Sequence, residues 1–275
     1  MPALKKGKFW LVSSKKLMKN KFITLYIVII SSCANLPSSK TSVNCIYPKD
    51  NSYAGGLINI SFNSNESGLE NKLKFEDLKF SICRSDDSNI VIIAPVPLSY
   101  SKTKVQLTLA DQLIASIDLQ DKYYRDSRIE IKNKDLVNPP NSMQDRIRNE
   151  YLQGQKAKNT ITKRVLREFV MDKPLTGINS SEFGVRRFIN NEPRSRHIGL
   201  DIANKEGTPI TAPLAGNVIL LGNFFYKGNV IYIDHGGGLV TSYSHLSNTE
   251  VELNQKISKG EIVGNVGSTG RVTGP

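Results

Sequence analysis

Histidine, cysteine and tryptophan are scarce in this sequence, whose 275 residues include three histidines, three cysteines and one tryptophan. No histidine occurs in the first 196 residues. That part of the chain therefore lacks the side chain that most often serves as a zinc ligand or a general base. We expect any metal or acid-base chemistry to lie in the C-terminal third, where all three histidines are found.

The sequence also lacks an arginine-rich stripe with interleaved aromatic residues, although its formal net charge is +12. Seven lysines and no acidic residue lie in residues 1–21, so the rest of the chain carries only 12 − 7 = +5. The charge is thus concentrated at one end, and we expect no binding to nucleic acid. With 39% hydrophobic and 23% charged residues, the composition is that of a globular protein.

A long hydrophobic run is missing as well, since the apolar run at residues 22–30 covers nine residues. A helix that spans a bilayer needs about 20 apolar residues. A lysine-rich start followed by a short apolar run predicts a secretory signal peptide in residues 1–33. The stretch Ile30-Ser31-Ser32-Cys33 resembles the lipobox of bacterial lipoproteins, which implies a membrane anchor through a lipid on Cys33 in the cell envelope or periplasm. The alternative is an ordinary signal peptide with an incidental cysteine.

Two cysteines, Cys45 and Cys83, remain after Cys33. Export would place them in an oxidising compartment, where a disulfide persists. The sequence does not decide whether the two meet.

Period-2 patterns dominate residues 45–138, which follow a polar tether at residues 34–44. Ile58, Ile60 and Phe62 alternate with polar residues, and similar alternation recurs at residues 105–109. Such patterns separated by turn residues predict an N-terminal β-sandwich-like domain. We expect this domain to serve in spacing or binding.

A helical linker is predicted at residues 139–175, after the break at Pro139-Pro140. Ser142 and Asp145 form a capping-box pattern, from which a polar helix would run to about Val170. Gly154 and Asn159 weaken the middle of this segment, so two shorter helices are the alternative.

Short glycine-punctuated strands are predicted in residues 180–275, for example at 217–221, 229–234, 239–245 and 261–266. These strands predict a C-terminal antiparallel β-sheet domain. The whole protein is therefore expected to be mainly β, with the N-terminal domain and the helical linker preceding this sheet.

His197 and Asp201 lie four residues apart in the stretch RHIGLD, with Gly199 midway. In a fully extended strand they would be about 13 Å apart, so they could share a zinc ion only if the backbone bends between them. Gly199 permits such a bend. Imidazole nitrogen and carboxylate oxygen are suitable zinc ligands. The alternative is a hydrogen-bonded pair on the surface.

The other two histidines, His245 and His235, lie near strand ends. His245 follows the alternating stretch LVTSYS, where it could face a cleft as a general base or be a satisfied structural histidine. His235 lies in DHGGG, and its glycine neighbours predict a turn residue.

The stretch from residue 183 to residue 275 resembles the LytM/lysostaphin-type zinc endopeptidase family, which hydrolyses peptide cross-links of bacterial peptidoglycan. The matching segments occur in the same order: FGVRR, RHIGLDIA, GTPITAPLAGNVI, GNVIYIDHGGGLVTSYSHL and GEIVGNVGSTGRVTGP. The segment RIEIKNKDLVNPP and the helix after it are similar to exported family members that carry an N-terminal β-sandwich.

This resemblance implies a zinc (Zn2+) endopeptidase that acts on peptidoglycan, with His197 and Asp201 as metal ligands and His245 as a catalytic histidine. Family members continue after the TGRVTGP-like turn with a His-x-His strand, which carries the third zinc ligand and the other catalytic histidine. The sequence stops at Pro275. We therefore expect a chain truncated before this motif, with weak zinc binding and little hydrolysis. Three interpretations stay open: an incomplete sequence of an active endopeptidase, an inactive module that regulates other cell-wall hydrolases, and a non-functional remnant.

Overall fold

The computed structural model of this protein describes residues 45–64, 68–76, 78–84, 89–163 and 168–275. The predicted signal peptide, lipobox and tether lie outside these residues. Most of the regular structure is strand, which confirms the prediction of a mainly β protein.

Two antiparallel sheets make up the N-terminal half. Their strands are β1 (Leu57–Asn63), β2 (Leu73–Lys74), β3 (Ser81–Arg84), β4 (Asn89–Pro95), β5 (Lys104–Leu109) and β6 (Gln112–Asp118). The strand orders are β1-β4-β3 and β2-β5-β6, and a short 3-10 helix, Leu69–Asn71, precedes β2. The alternating apolar residues of both sheets, such as Ile58, Ile92 and Leu107, form one buried cluster. Two sheets that share a core are the arrangement of a β-sandwich.

A disulfide between Cys45 and Cys83 ties the beginning of this half to β3, with Cα atoms 6.0 Å apart. The structure thus decides the pairing that the sequence left open. Because the two cysteines are separated by 38 residues, the bond restricts a long loop of the unfolded chain.

Between the N-terminal sheets and the C-terminal part lie strand β7 (Asp126–Ile129), helix α1 (Lys134–Val137), a 3-10 turn at Asn141–Met143 and helix α2 (Gln144–Lys158). Of these, the turn and α2 fall in the predicted linker at residues 139–175. The predicted helix to about Val170 is too long, because α2 ends at Lys158 and its C-cap residue Asn159 has left the helical conformation, with φ −93° and ψ 7°. Among the described residues, no helix is long and apolar enough to cross a membrane.

The predicted capping box at Ser142 and Asp145 is wrong. Ser142 lies inside the 3-10 turn, and the N-cap of α2 is Met143, whose side chain makes no capping hydrogen bond. The turn before α2 therefore shifts the start of the helix by one residue and removes the serine from the capping position.

Eleven further strands are described in the C-terminal part: β8 (Ile178–Ser181), β9 (Arg186–Ile189), β10 (Glu192–Pro193), β11 (Asp201–Ala203), β12 (Pro209–Thr211), β13 (Gly216–Phe224), β14 (Gly228–Gly236), β15 (Leu239–Leu246), β16 (Asn248–Thr249), β17 (Lys256–Ile257) and β18 (Ile262–Asn265). The central antiparallel sheet has the order β15-β14-β13-β17, and a second sheet has the order β12-β18-β16.

Strand β14 is buried on both faces of the central sheet. Ile231 and Ile233 belong to the core that includes residues of β12 and β18, whereas Val230 and Tyr232 face a second cluster that contains Ala157 of α2. A strand covered on both sides explains the nearly continuous apolar run VIYI at residues 230–233.

The two halves are connected through β7, which pairs in parallel with β9 in the sheet β10-β9-β7. Ile131, Val137 and Ile189 form a small buried cluster at this connection. Strand β9 leads toward His197, so β7 and α1 pack against the segment that leads to the candidate site.

Candidate active site

His197 and Asp201 lie close together in the loop that enters β11. The His197 Nε2 atom is 3.1 Å from Oδ1 of Asp201. The chain bends at Gly199, and the imidazole lies over that residue, so that a Cβ there would come within 3.3 Å of Nε2. The backbone bend that His197 and Asp201 need in order to share a zinc ion is therefore present. The imidazole nitrogen and the carboxylate oxygen are near enough to bind one ion.

The His197 loop is held by hydrogen bonds to the segment between β8 and β9. The His197 N–H donates to the carbonyl of Val185 at 3.0 Å, and the Gly184 N–H donates to the His197 carbonyl at 2.7 Å. The ring atom Nδ1 lies 3.0 Å from the carbonyl oxygen of Glu182 and 3.2 Å from Ser181 Oγ. With Nδ1 held at the Glu182 carbonyl, Nε2 is the ring nitrogen that faces Asp201, where it donates to the carboxylate in the metal-free protein and can bind a metal ion once it is deprotonated. Metal-binding histidines are commonly oriented in this way.

Asp201 is held from its other side by Arg187 of β9. The Arg187 Nη2 atom lies 2.5 Å from Oδ2 of Asp201 and 3.4 Å from Ser181 Oγ. Burial raises the pKa of Asp201, but the hydrogen bond and charge of His197 and the charge of Arg187 outweigh this effect and lower the pKa overall. The carboxylate is thus ionised at neutral pH, as a metal ligand must be.

His245 occupies the penultimate position of β15 with a positive φ of 65°. Its N–H donates to the Lys227 carbonyl at 2.7 Å, and its Nδ1 lies 2.8 Å from the Thr269 carbonyl oxygen. This conformation is unusual for a residue other than glycine, and such residues occur often at functional sites.

The pKa of His245 is lowered, chiefly because the ring is buried, while the Thr269 carbonyl and the charge of Asp201 act in the opposite direction. The ring is therefore neutral at neutral pH. With Nδ1 directed at Thr269, Nε2 is the atom that can accept a proton. Asp201 and His245 affect each other's pKa, so the fold brings both residues into one electrostatic environment.

The prediction that His235 is a turn residue is wrong. It lies in β14 and is fully buried, with Nδ1 3.0 Å from the Ala215 carbonyl oxygen and Nε2 2.8 Å from Thr241 Oγ1. The turn begins later, at Gly237 and Gly238, both of which have positive φ. Both ring nitrogens of His235 thus have partners within the fold, so this histidine has a structural role.

His197 and Asp201 fit a zinc ion as two of its ligands, because they provide an imidazole nitrogen and an ionised carboxylate at a distance that one ion can bridge. Within the described ranges, no group of three or more histidine, cysteine, aspartate or glutamate side chains is arranged to hold a metal.

Sequence reasoning missed Arg187 as a member of the site. The adjacent arginines in FGVRR lie on β9 and point in opposite directions, so that Arg186 pairs with Asp126 and Arg187 with Asp201. Period-2 alternation along a strand could have indicated that the two arginines have different partners.

Comparisons with known proteins identify the C-terminal domain. Residues 195–275 match the sequence model of peptidase family M23. The chain is 42% identical over 97 residues to "Peptidoglycan DD-endopeptidase ShyA" of Vibrio cholerae, an alignment that covers 35% of this chain and 23% of that protein. It is 38% identical over 103 residues to "Cell division protein DipM" of Caulobacter vibrioides, which covers 37% of this chain and 16% of that protein. The chain thus spans less than a quarter of the length of these curated relatives.

A solved structure extends the similarity beyond this domain. A Pseudomonas aeruginosa protein assigned to peptidase M23 superposes with a TM-score of 0.61 at 28% identity, covering 82% of this chain and 87% of that one. The overlap therefore includes residues upstream of the C-terminal domain. Residues 195–275 contain His197, Asp201 and His245, and this protein carries a domain of peptidase family M23.

Proposed function

We propose that this protein is a zinc-dependent endopeptidase that hydrolyses peptide cross-links of bacterial peptidoglycan. The observation that carries this proposal is the 3.1 Å approach of His197 Nε2 to Asp201 Oδ1 within the M23 domain. Two donors suited to zinc meet there. One of them, Asp201, also pairs with Arg187 and shares its electrostatic environment with the neutral His245.

The names of two relatives support peptidoglycan as the substrate. One is ShyA, a peptidoglycan DD-endopeptidase, and another is "DD-carboxypeptidase/endopeptidase Mpg" of Neisseria meningitidis, which is 38% identical over 96 residues. Each alignment covers about the length of one domain. We therefore infer the substrate from the similarity of the C-terminal domain alone.

In this proposal His197 and Asp201 hold the zinc ion. Bound zinc supplies a Lewis acid and lowers the pKa of a coordinated water to about 7. The Glu182 carbonyl fixes the tautomer of His197, and Arg187 orients the carboxylate of Asp201. His245 accepts a proton at Nε2, since its Nδ1 is occupied by the Thr269 carbonyl.

We also propose that the protein is exported to the cell envelope and anchored by a lipid on Cys33. The order of lysines, apolar run and ISSC supports this proposal, and the Cys45–Cys83 disulfide is consistent with an oxidising compartment. Replacing Cys33 by alanine should release the protein from membranes in a fractionation experiment. Unchanged membrane attachment would contradict the anchor.

The catalytic proposal is tested with purified cross-linked muropeptides and zinc, with chromatography of the released fragments as the readout. Two proteins are compared: the 275-residue chain and a version extended by His-Leu-His-Trp, which adds the metal ligand and the histidine implied by the family resemblance. We expect the extended version to bind zinc more tightly and to cleave faster, because a catalytic zinc generally takes three protein ligands.

Single substitutions in the extended version separate the roles of the residues. His245→Ala should abolish cleavage with zinc still bound, whereas Asp201→Ala should lose both zinc and cleavage. Asp118→Ala, at an exposed carboxylate of β6, is the matched control and should change neither. An extended protein that binds zinc but releases no fragment would contradict the enzymatic proposal and favour a regulatory module.

A further inference from the structure

Three arginines lie close together beside the candidate active site: Arg187 of β9, Arg194 and Arg271. The Arg194 N–H donates to the Arg187 carbonyl at 2.9 Å, directly after the pairing of β9 with β10. The guanidinium groups of Arg194 and Arg271 both reach the end of α1, where they donate to the neighbouring carbonyls of Val137 and Leu136. Burial lowers the pKa of Arg271, and the positive charges of Arg194 and Arg187 lower it further. Backbone pairing and α1 thus bring three positive charges into one region of the molecule.

Two of these three charges already have acidic partners. Arg187 Nη2 lies 2.5 Å from Oδ2 of Asp201. Arg194 Nη2 lies 2.6 Å from Oε2 of Glu192. No carboxylate among the described residues pairs with Arg271, whose one side-chain hydrogen bond there is a 3.4 Å contact with a carbonyl of α1. Arg271 is partly buried, and burial of a charge without a partner is unfavourable. The cluster therefore carries one positive charge in excess, and this charge lies on Arg271.

The Arg271 guanidinium is held in place by Tyr226. Its carbon Cζ lies 4.0 Å from the centre of the Tyr226 ring, and the Arg271 N–H donates to the Tyr226 carbonyl at 2.8 Å. A guanidinium at this distance is attracted by the face of the aromatic ring. Its N–H donors lie in the guanidinium plane, and this planar fork matches the two oxygens of a carboxylate. Arg271 is therefore a pre-organised site for a carboxylate.

Two backbone segments connect Arg271 to the candidate catalytic histidine. Two residues before Arg271, the Thr269 carbonyl oxygen lies 2.8 Å from Nδ1 of His245. The residue that follows the tyrosine beside Arg271 is Lys227, whose carbonyl accepts the His245 N–H at 2.7 Å. The same two segments thus hold both His245 and Arg271. A peptide cleaved at Asp201 and His245 therefore presents the groups next to its scissile amide to Arg271.

We propose that Arg271 binds a free carboxylate of the peptide substrate, on the carbon that carries the nitrogen of the scissile amide. This inference rests on the proposed function, because it assumes that a peptide cross-link lies at His197 and Asp201. In a cross-link between D-alanine and diaminopimelate, the carbon that bears the amide nitrogen keeps a free carboxylate. In a glycine bridge, the corresponding carboxyl group is consumed by the next amide bond. Arg271 therefore selects the first class of cross-link, through charge-assisted hydrogen bonds.

The test compares two probes that differ only in this carboxylate, by NMR titration of the 275-residue protein in the presence of a chelator. One probe is N-acetyl-D-alanyl-D-alanine, whose carboxylate lies on the carbon that bears the amide nitrogen. The other is the same dipeptide with a neutral C-terminal carboxamide. The chelator removes metal ions, so the carboxylate cannot bind a metal instead. We expect the acid to bind about tenfold more tightly, because hydrogen bonds between charged groups are stronger than those to a neutral amide.

Arg271→Gln should remove this preference for the acid, because glutamine keeps a hydrogen-bond donor but has no charge. Arg271→Lys should restore part of the preference, since lysine keeps the charge without the planar fork. The matched control is Arg128→Gln, which removes another arginine beside an aromatic ring, 4.2 Å from the centre of Phe188. Phe188 follows Arg187 in β9 and so faces the other side of the strand, and this control should keep the full preference. Thermal denaturation of each variant verifies its folding.

Three results would overturn the proposal: equal binding of the acid and the carboxamide by the wild type, no binding of either probe, or a preference that Arg271→Gln retains in full. Should Arg271→Gln fail to fold, an unchanged preference in Arg271→Lys would overturn it as well.

The outcome is separable from that of the proposed function. A preference for the acid that depends on Arg271 supports the carboxylate site even when cross-linked muropeptides stay intact. The extended protein can also be given cross-links whose carboxylates are either free or amidated. Equal cleavage of both overturns the carboxylate site and keeps the endopeptidase.

Discussion

At the scale of single residues, Arg187 determines how Asp201 is presented. Its guanidinium engages Oδ2 while Oδ1 faces His197, so the two carboxylate oxygens have different partners. A partner that orients a metal ligand in this way commonly changes metal affinity when it is mutated.

In the proposed zinc site, Arg187→Ala should therefore weaken zinc binding by about 10–100-fold, measured by competition with a chromophoric chelator. Arg187→Lys should recover part of the loss, since it keeps the charge but not the planar fork. Arg186→Ala is the matched control, because the neighbouring arginine pairs with Asp126 on the other side of β9. Equal zinc affinity in all four proteins would contradict a positioning role for Arg187.

We expect His245 to make the stability of the metal-free protein depend on pH. Its pKa is lowered in the folded state, so the unfolded chain binds more protons as the pH falls below the ordinary value of 6.5. Because the unfolded state is favoured wherever it binds more protons, the free energy of unfolding should decrease below about pH 6.5.

The measurement is urea denaturation at several pH values in the presence of a chelator. His245→Asn should show a shallower decrease than the wild type, since asparagine does not titrate and tolerates positive φ. An identical pH profile in wild type and variant would mean that His245 does not contribute.

At the scale of elements, the close approach of α2 to β14 depends on Gly154. This residue is buried in α2, and a Cβ there would lie 3.0 Å from the hydroxyl of Tyr232. Tyr232 is almost fully buried, and Lys227 Nζ lies 2.7 Å from its hydroxyl, so the ring has little room to move.

Gly154→Ala should destabilise the protein by about 1 kcal/mol, because overpacking costs about 1–3 kcal/mol and the gain in helix propensity offsets about 1 kcal/mol of it. Gln153→Ala changes the exposed neighbouring position and should be neutral or slightly stabilising. Chemical denaturation gives both values. A stabilised Gly154→Ala variant would show that α2 shifts away from the sheet without cost.

At the scale of the whole molecule, the Cys45–Cys83 disulfide closes a loop across the N-terminal half. For a sequence separation of 38 residues, the loss of unfolded-state entropy corresponds to about 4 kcal/mol. The double variant Cys45→Ala, Cys83→Ala should therefore unfold at a lower denaturant concentration than the oxidised wild type. Wild type treated with a reductant should match the double variant, whereas equal stability of the oxidised and reduced proteins would contradict this role.

The sequence alone was sufficient for the features that are encoded locally. Alternation at Ile58, Ile60 and Phe62 and the glycine-punctuated strands after residue 183 predicted a mainly β protein, because side chains on a strand alternate between its faces. The order of motifs around His197 and Asp201 indicated the family, and Gly199 marked the bend between them.

Features that depend on contacts distant in sequence required the tertiary structure. The end of α2 at Lys158 and the burial of His235 depend on what packs beside them, and propensity does not report such contacts. Arg187 entered the site because β9 lies beside the His197 loop, so that its guanidinium reaches the carboxylate of Asp201. Local pattern thus determined which elements form, while packing between distant segments decided which side chains meet.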